Sequence, residues 1–220
     1  MPKQTFLNLA ENKREKLLKA FLLEFSTKSF EDASLSAVVK KLGIAKGSVY
    51  QYFEDKMDLF FYLKQHCEQV KQSYAKHIKR ENYEDFWQFL RALYQEGIKY
   101  DMERPLESNF LFALVNQQHS PTMRQFYIEW QQKALDMFTQ MIAYEVEIGH
   151  FRQDLPTKSM AYVLVTLTSK IGDYMTATMG VDIQQKLFSG EPILAHNNGQ
   201  TLLKAVDEHI MILKRAFSKP

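Results

Sequence analysis

Lys46, Gly47, Ser48, Tyr50, Gln51, Tyr52 and Lys56 crowd one short stretch with ammonium, hydroxyl and amide groups, and with neither histidine nor cysteine among them. Such groups can hydrogen-bond to the bases and phosphates of a nucleic acid. Small residues and an amide reach base edges in a groove, whereas hydroxyls and ammonium groups hold phosphate oxygens. A helix over residues 46–53, projected at about 100° per residue, puts Val49 and Phe53 on one side and Gly47, Ser48 and Gln51 opposite, with Tyr50 and Tyr52 on the flanks. The apolar side faces a core, and the polar side is left for a partner.

The elements that would position this face lie around it. Leu35, Val38, Val39 and Leu42 recur at i, i+3, i+4 and i+7, which buries one face of a short helix and leaves Lys40 and Lys41 in water. Ser34 is its natural N-cap. Gly43 ends it, because a left-handed backbone after a helix costs glycine nothing. Leu17, Leu18, Phe21, Leu22 and Phe25 predict a first helix over about residues 8–26 that packs over the two short ones. A longer helix of some two dozen residues begins near Asp55 with Lys56 in its first turn. Helix, tight turn, short polar helix is the order that a helix-turn-helix needs to lay one helix in a DNA groove.

The stretch resembles the N-terminal DNA-binding domain of the TetR family of transcriptional regulators. Phe30, Ser34, Val38, Val39, Gly43, Ile44, Lys46, Gly47, Ser48, Val49, Tyr50, Tyr52, Phe53, Lys56 and Leu59 carry the likeness without a gap, within about residues 10–60. Two positions depart: Ala45 stands where the family usually has Ser or Thr, and Ser29 where it often has Gly. The turn from Gly149 to Pro156 also resembles the one that such proteins place before their penultimate helix. The resemblance implies an all-helical homodimer on a palindromic duplex DNA operator, with a C-terminal domain that binds a small effector and last two helices that pair with their twins. Within the motif, Lys46, Gly47, Ser48 and Gln51 are expected at base edges, and Ser34, Tyr50, Tyr52 and Lys56 at phosphates.

Charge agrees with that division. Residues 1–80 carry 15 Lys or Arg and 9 Asp or Glu, a net +6, while the remaining 140 carry 13 and 17, a net −4. Positive charge gathers where a polyanion would bind.

The rest of the chain reads as helices, without strand-like alternation. Phe86, Phe89, Leu90 and Leu93 predict one over residues 83–102; Phe110, Leu111, Leu114 and Val115 another after Pro105; Met123, Phe126, Trp130, Met137 and Met141 a long one after Pro121. The last two are expected over residues 157–179 and 201–217, joined by a loop over 180–199 with a helical turn at 183–188. The 201–217 helix has one apolar stripe, Leu202, Val206, Ile210, Leu213 and Phe217. The 157–179 helix is apolar over much of its circumference and so needs two partners: either its own core and a twin, or the centre of a monomeric bundle. Phe86, Phe89, Asn109, Phe110, Phe126, Trp130, Tyr162, Thr166 and Tyr174 are candidates for an effector pocket, an apolar cavity with a few polar groups. Their scarcity of unpaired charge favours an apolar or aromatic compound.

Other chemistries find little support. The six histidines form no i, i+4 pair on one helix, and Cys67 falls on the apolar stripe of the helix after the motif, where a packed thiol fits. No Gly-rich phosphate loop, nucleophile elbow or zincin motif is present, so neither metal, cofactor nor catalytic residues are expected. Neither a signal peptide nor an apolar run of membrane-spanning length occurs, so a cytoplasmic protein is expected. The reading is an all-α protein with a three-helix DNA-binding domain over residues 1–55 and a helical effector-binding and dimerisation bundle over 56–220. It is expected to act as a repressor that an apolar or aromatic small molecule releases from DNA. A helical-bundle enzyme and a nonspecific architectural DNA binder are the alternatives.

Overall fold

A computed structural model describes residues 1–45, 47–116, 120–182, 186, 194 and 198–219. Among these residues the secondary structure is helical throughout, with no strand. In order come α1 (Gln4–Leu7), α2 (Glu11–Thr27), α3 (Leu35–Lys41), α4 (Ser48–Tyr52), α5 (Lys56–Ala75), a 3-10 turn (Arg80–Asn82), α6 (Phe86–Glu103), α7 (Pro105–Asn116), α8 (Arg124–Glu147), α9 (Thr157–Ser169), α10 (Ile171–Met179) and α11 (Asn198–Phe217). The helices read from apolar spacing are all present, with ends shifted by a few residues, as fraying ends allow. Two differences are substantive. The expected 157–179 helix is broken at Lys170, whose φ of −102° and ψ of 10° leave the helical range. The short α1 was not expected, because four residues are too few to show a period. The loop expected over 180–199, with its turn at 183–188, lies largely outside the described residues.

The helices divide into two compact units that interleave along the chain. The first comprises Met1–Ser73, Glu103–Arg124 and Gln184–Ile193; the second comprises Tyr74–Met102, Gln125–Ile183 and Leu194–Pro220. The first unit therefore reaches beyond a cut at residue 55, because α7 packs along α2 and joins its core. That core is aromatic. Phe6, Phe21, Phe25, Phe53 and Phe60 are all at most 1% exposed. Phe60 meets Phe25 edge-on at 5.4 Å between ring centroids, and Phe110 of α7 at 5.3 Å. Each fully buried Phe contributes about 1.5 to 3 kcal/mol of transfer free energy.

In the second unit Phe86, Trp87, Phe89 and Leu90 of α6, Ile142 of α8, Met160 and Leu164 of α9, and Leu213 and Phe217 of α11 share one core with Phe151. Phe151 belongs to the turn after α8. Gly149 opens that turn, Arg152 donates its backbone N–H to the Phe217 carbonyl at 2.9 Å, and the Arg152 guanidinium holds Asp154 through two bonds of 2.7 and 2.6 Å. The turn thus fastens the end of α8 to the end of α11. The expected α11 stripe is on the inside, with Leu202, Val206, Leu213 and Phe217 buried.

Candidate nucleic-acid interface

Helix α3 begins as its sequence requires. The Ser34 hydroxyl accepts the Ala37 N–H at 3.2 Å, filling one of the four donors that a helix start leaves open. Ser34 is itself held, its own N–H donating to Glu24 at 2.8 Å. The helix ends at Leu42, and Gly43 follows with φ at +66°, the left-handed turn that a side chain would strain. Ala45 then donates no cap hydroxyl; its carbonyl accepts the Ser48 N–H at 2.9 Å. At the other departure, the Ser29 hydroxyl donates to Asp32 at 2.6 Å and accepts the Asp32 N–H at 3.1 Å, so a side-chain turn does the work there.

Helix α4 presents the face expected of it. Val49 and Phe53 are buried, at 1% and 0% exposure, while Gly47, Tyr50 and Gln51 are exposed and Ser48 is half-buried. Tyr52 is placed otherwise than expected: it is 7% exposed, its ring against Phe6 at 6.0 Å, so it is part of the core rather than a free flank. An i+3 neighbour of Val49 turns inward on so short a helix once α1 supplies a ring to meet it. Lys56 is also more constrained than its sequence suggests. Its ammonium lies 4.9 Å from the Phe30 ring centroid and donates to the Glu31 carbonyl at 3.0 Å. That leaves two of its three donors. Lys46 lies outside the described residues.

Residues near the chain start, which sequence reasoning missed, attach to this helix. The Lys3 N–H donates to the Tyr52 carbonyl at 2.8 Å, the Lys3 ammonium to the Tyr50 carbonyl at 3.0 Å, and the Thr5 hydroxyl to the Gln51 carbonyl. Phe6, followed by Leu7 and Leu9 in a short apolar run too brief to show a period, was the only signal for an anchor there.

Glu31, next to the motif, is the partner of Ser120, which opens the turn before α8. Ser120 donates its hydroxyl to Glu31 at 2.7 Å and accepts the Met123 N–H at 3.1 Å. The hydrogen bond from Ser120 holds the Glu31 carboxyl below the usual carboxylate range against desolvation, with help from the Glu31 backbone and Thr122.

The expected effector residues are divided between the two units. Phe86 and Phe89 line a cavity of about 350 Å³ in the second unit, with Arg80, Gln140, Met141 and Tyr144. Glu145, also in the lining and 1% exposed, accepts from the Arg80 guanidinium at 2.6 and 3.0 Å and lies 2.9 Å from His150. Asn109 and Phe110 are buried in the first unit instead. Tyr162 is 62% exposed and Thr166 is exposed with it on α9, and neither is in the lining of that cavity. Tyr174 donates its hydroxyl to Glu208 at 2.6 Å, and Trp130 and Phe126 are half-buried on α8. Burial holds the Cys67 thiol well above its ordinary value, so it is an inert part of the first core. No group of three His, Cys, Asp or Glu among the described residues is arranged to hold a metal, and no helix among them is long and apolar enough to cross a membrane.

Comparison with known proteins agrees with this geometry. Residues 17–63 match the family described as bacterial regulatory proteins, tetR family. The chain is 47% identical over 47 residues to the uncharacterized HTH-type transcriptional regulator YdgC of Bacillus subtilis, covering 21% of this chain and 24% of that protein. It is 37% identical over 98 residues to YvdT of the same organism, also an uncharacterized HTH-type transcriptional regulator, covering 44% and 46%. The chain thus spans less than half the length of these relatives. A TetR family transcriptional regulator from Chloroflexus aurantiacus superposes with a TM-score of 0.78 over 100% of both chains at 25% identity. Residues 17–63 thus carry the helix-turn-helix of the tetR family of bacterial regulatory proteins, and the helical fold of the whole chain is similar to that of a TetR family transcriptional regulator.

Proposed function

We propose that the protein is a sequence-specific DNA-binding transcription regulator that works in the cytoplasm as a homodimer and sets one α4 into each half of a palindromic operator. Gly47 carries the reading. Its φ of −69° suits any residue, and a Cβ built there meets nothing within 4 Å, so neither backbone nor packing requires a glycine. A partner that approaches the backbone closely does require one, and a base edge or sugar-phosphate strand at the exposed end of α4 is such a partner. Gln51, exposed one helical turn on, supplies an amide that pairs with adenine in the major groove. The Ser34 hydroxyl, the Tyr50 phenol and the Lys56 ammonium each retain a donor for phosphate. Tyr52, with its ring buried, keeps at most its hydroxyl for that task.

Dimerisation is supported by what α9 and α11 leave outside. Tyr162 and Val163 are 62% and 44% exposed, Met211 and Ile212 54% and 59%, although the same two helices also bury apolar faces inside the second unit. A two-fold interface would cover these residues with their own copies, and the same symmetry would make the operator palindromic. For an effector, the 350 Å³ cavity has the size of a small-molecule site, with Phe86, Phe89 and Met141 as apolar walls beside the polar Arg80, Glu81, Gln140 and Glu145. A compound bound there releases DNA only if it prefers the form whose recognition helices no longer meet groove faces about 34–36 Å apart.

The test is selection of bound duplexes from a random pool by the full chain, followed by footprinting. A two-fold symmetric consensus with half-sites about one turn apart is the expected result. Enrichment of no sequence would leave the architectural alternative. A thermal-shift screen of apolar and aromatic compounds, with operator affinity measured with and without each hit, tests the effector.

A further inference from the structure

Helix α4 has five residues, and a helix so short is marginal by itself because its end carbonyls find no partner within it. Here the carbonyls of Tyr50, Gln51 and Tyr52 would need the N–H groups of residues 54–56, but the Glu54 N–H donates to Asp58 instead. All three are filled from residues 3 and 5: Lys3 supplies its ammonium and its N–H, and Thr5 its hydroxyl. The Lys3 charge also suits the negative end of the helix dipole, and its ammonium bridges to Glu54 at 2.9 Å. Phe6, fully buried between Tyr52, Phe53 and Tyr62, anchors the segment so that these donors hold one position.

Resting on the reading of α4 as the base-reading helix, we infer that Lys3 and Thr5 are positioning residues for sequence discrimination: they close the C-terminal end of α4 and so fix the angle at which Ser48 and Gln51 meet the bases. They act through the helix and need not touch DNA. Their loss therefore affects the ratio of specific to nonspecific binding, because backbone-phosphate contacts tolerate a small change of tilt and base contacts do not.

The experiment uses the full chain, the duplex that wild type enriches from a random pool, and a scrambled duplex of equal length and composition. Binding is read by fluorescence anisotropy over a salt series, beside thermal unfolding. Thr5→Val, which removes the hydroxyl at nearly constant volume, is expected to weaken binding to the enriched duplex by roughly tenfold. Binding to the scrambled duplex stays as in wild type, which also shows the variant folded, and Thr5→Ser restores discrimination. Lys3→Met is expected to lower discrimination with the salt slope intact. A uniform loss on both duplexes with the slope reduced by about one marks a phosphate contact instead and overturns the assignment for Lys3. Unchanged discrimination in Thr5→Val, or equal loss on both duplexes, overturns it for Thr5. If wild type enriches no sequence, the reading of α4 fails first, and this inference with it.

Discussion

Glu24 of α2 accepts the backbone N–H of Ser34 at 2.8 Å, across ten positions of chain, and Ser34 in turn caps α3. One carboxylate therefore sets where the first helix of the helix-turn-helix begins. Burial alone would raise its pKa, but the hydrogen bonds from Lys28 and the Ser34 N–H, with the charges of Lys28 and Lys41, outweigh burial and hold it below 4.5. Since the folded value is the lower one, the stabilisation is complete above 4.5 and is lost as pH falls through the folded value. Glu24→Ala is expected to cost about 1.5 to 3 kcal/mol in urea unfolding at neutral pH. That difference from wild type should shrink in acid. A pH-independent difference would mean that the carboxylate charge is not what holds Ser34.

Gly47→Ala separates folding from binding. With φ at −69° and open space at the Cβ, alanine should leave stability unchanged or raise it by about 0.4 to 1 kcal/mol, chiefly by restricting the unfolded chain. Affinity for the enriched duplex should fall by at least about tenfold, since the added methyl occupies space that only a partner uses. Thermal unfolding and anisotropy check the two halves independently. An alanine variant that binds as wild type does would remove the main support for α4 as the groove helix.

The motif was legible because its constraints are local. The spacing of Leu35, Val38 and Val39, the cap at Ser34 and the left-handed turn at Gly43 need only neighbours in sequence, and so does the burial of Val49 and Phe53. Tyr52 and Lys56 were read less well because their surroundings come from afar. Phe6 turns Tyr52 into core, and Phe30 with Glu31 draws Lys56 back. The residues of the proposed effector cavity were hardest for the same reason: Phe86 and Phe110 look alike as aromatic residues at helical spacing, yet one borders a cavity and the other packs on Phe60 in a different unit.

Gln51→Ala should relax the selected consensus at one base position per half-site and cost about 1 to 3 kcal/mol on the original duplex. Tyr50→Phe, which removes a hydroxyl from an exposed ring, should instead weaken all duplexes alike. Repeating the selection with each variant decides between the roles. A consensus unaltered in the Gln51 variant would move base reading to Ser48 and Lys46.

The Arg80 and Glu145 pair is buried on the carboxylate side, with Glu145 1% exposed and both its oxygens engaged. Removing one partner strands the other, so Glu145→Ala should cost about 3 to 5 kcal/mol, whereas the double change Glu145→Leu with Arg80→Met should recover much of that. Because these residues border the cavity, any compound found to bind there should lose affinity in both variants. Chemical unfolding with and without the compound measures both effects. Equal stability of the single and wild-type proteins would show that water reaches Glu145 freely.

The exposed apolar residues of α9 and α11 provide the last test. Tyr162, Val163, Met211 and Ile212 project from helices whose inner faces are filled by Leu164, Leu202, Val206 and Leu213, so a charge placed outside leaves the unit's own core intact. Ile212→Glu combined with Val163→Glu puts two carboxylates per chain where a twin would sit. Light scattering at micromolar concentration should show wild type as a dimer and the variant as a monomer, both with the same far-ultraviolet helical signal. A monomer presents a single α4, so its affinity for the two-half-site duplex should fall to that for a duplex carrying one half-site, because the second contact is no longer made at high effective concentration. A double variant that remains dimeric would place the two-fold interface on another face, and a monomeric variant that keeps full affinity would show that each chain binds its half-site alone.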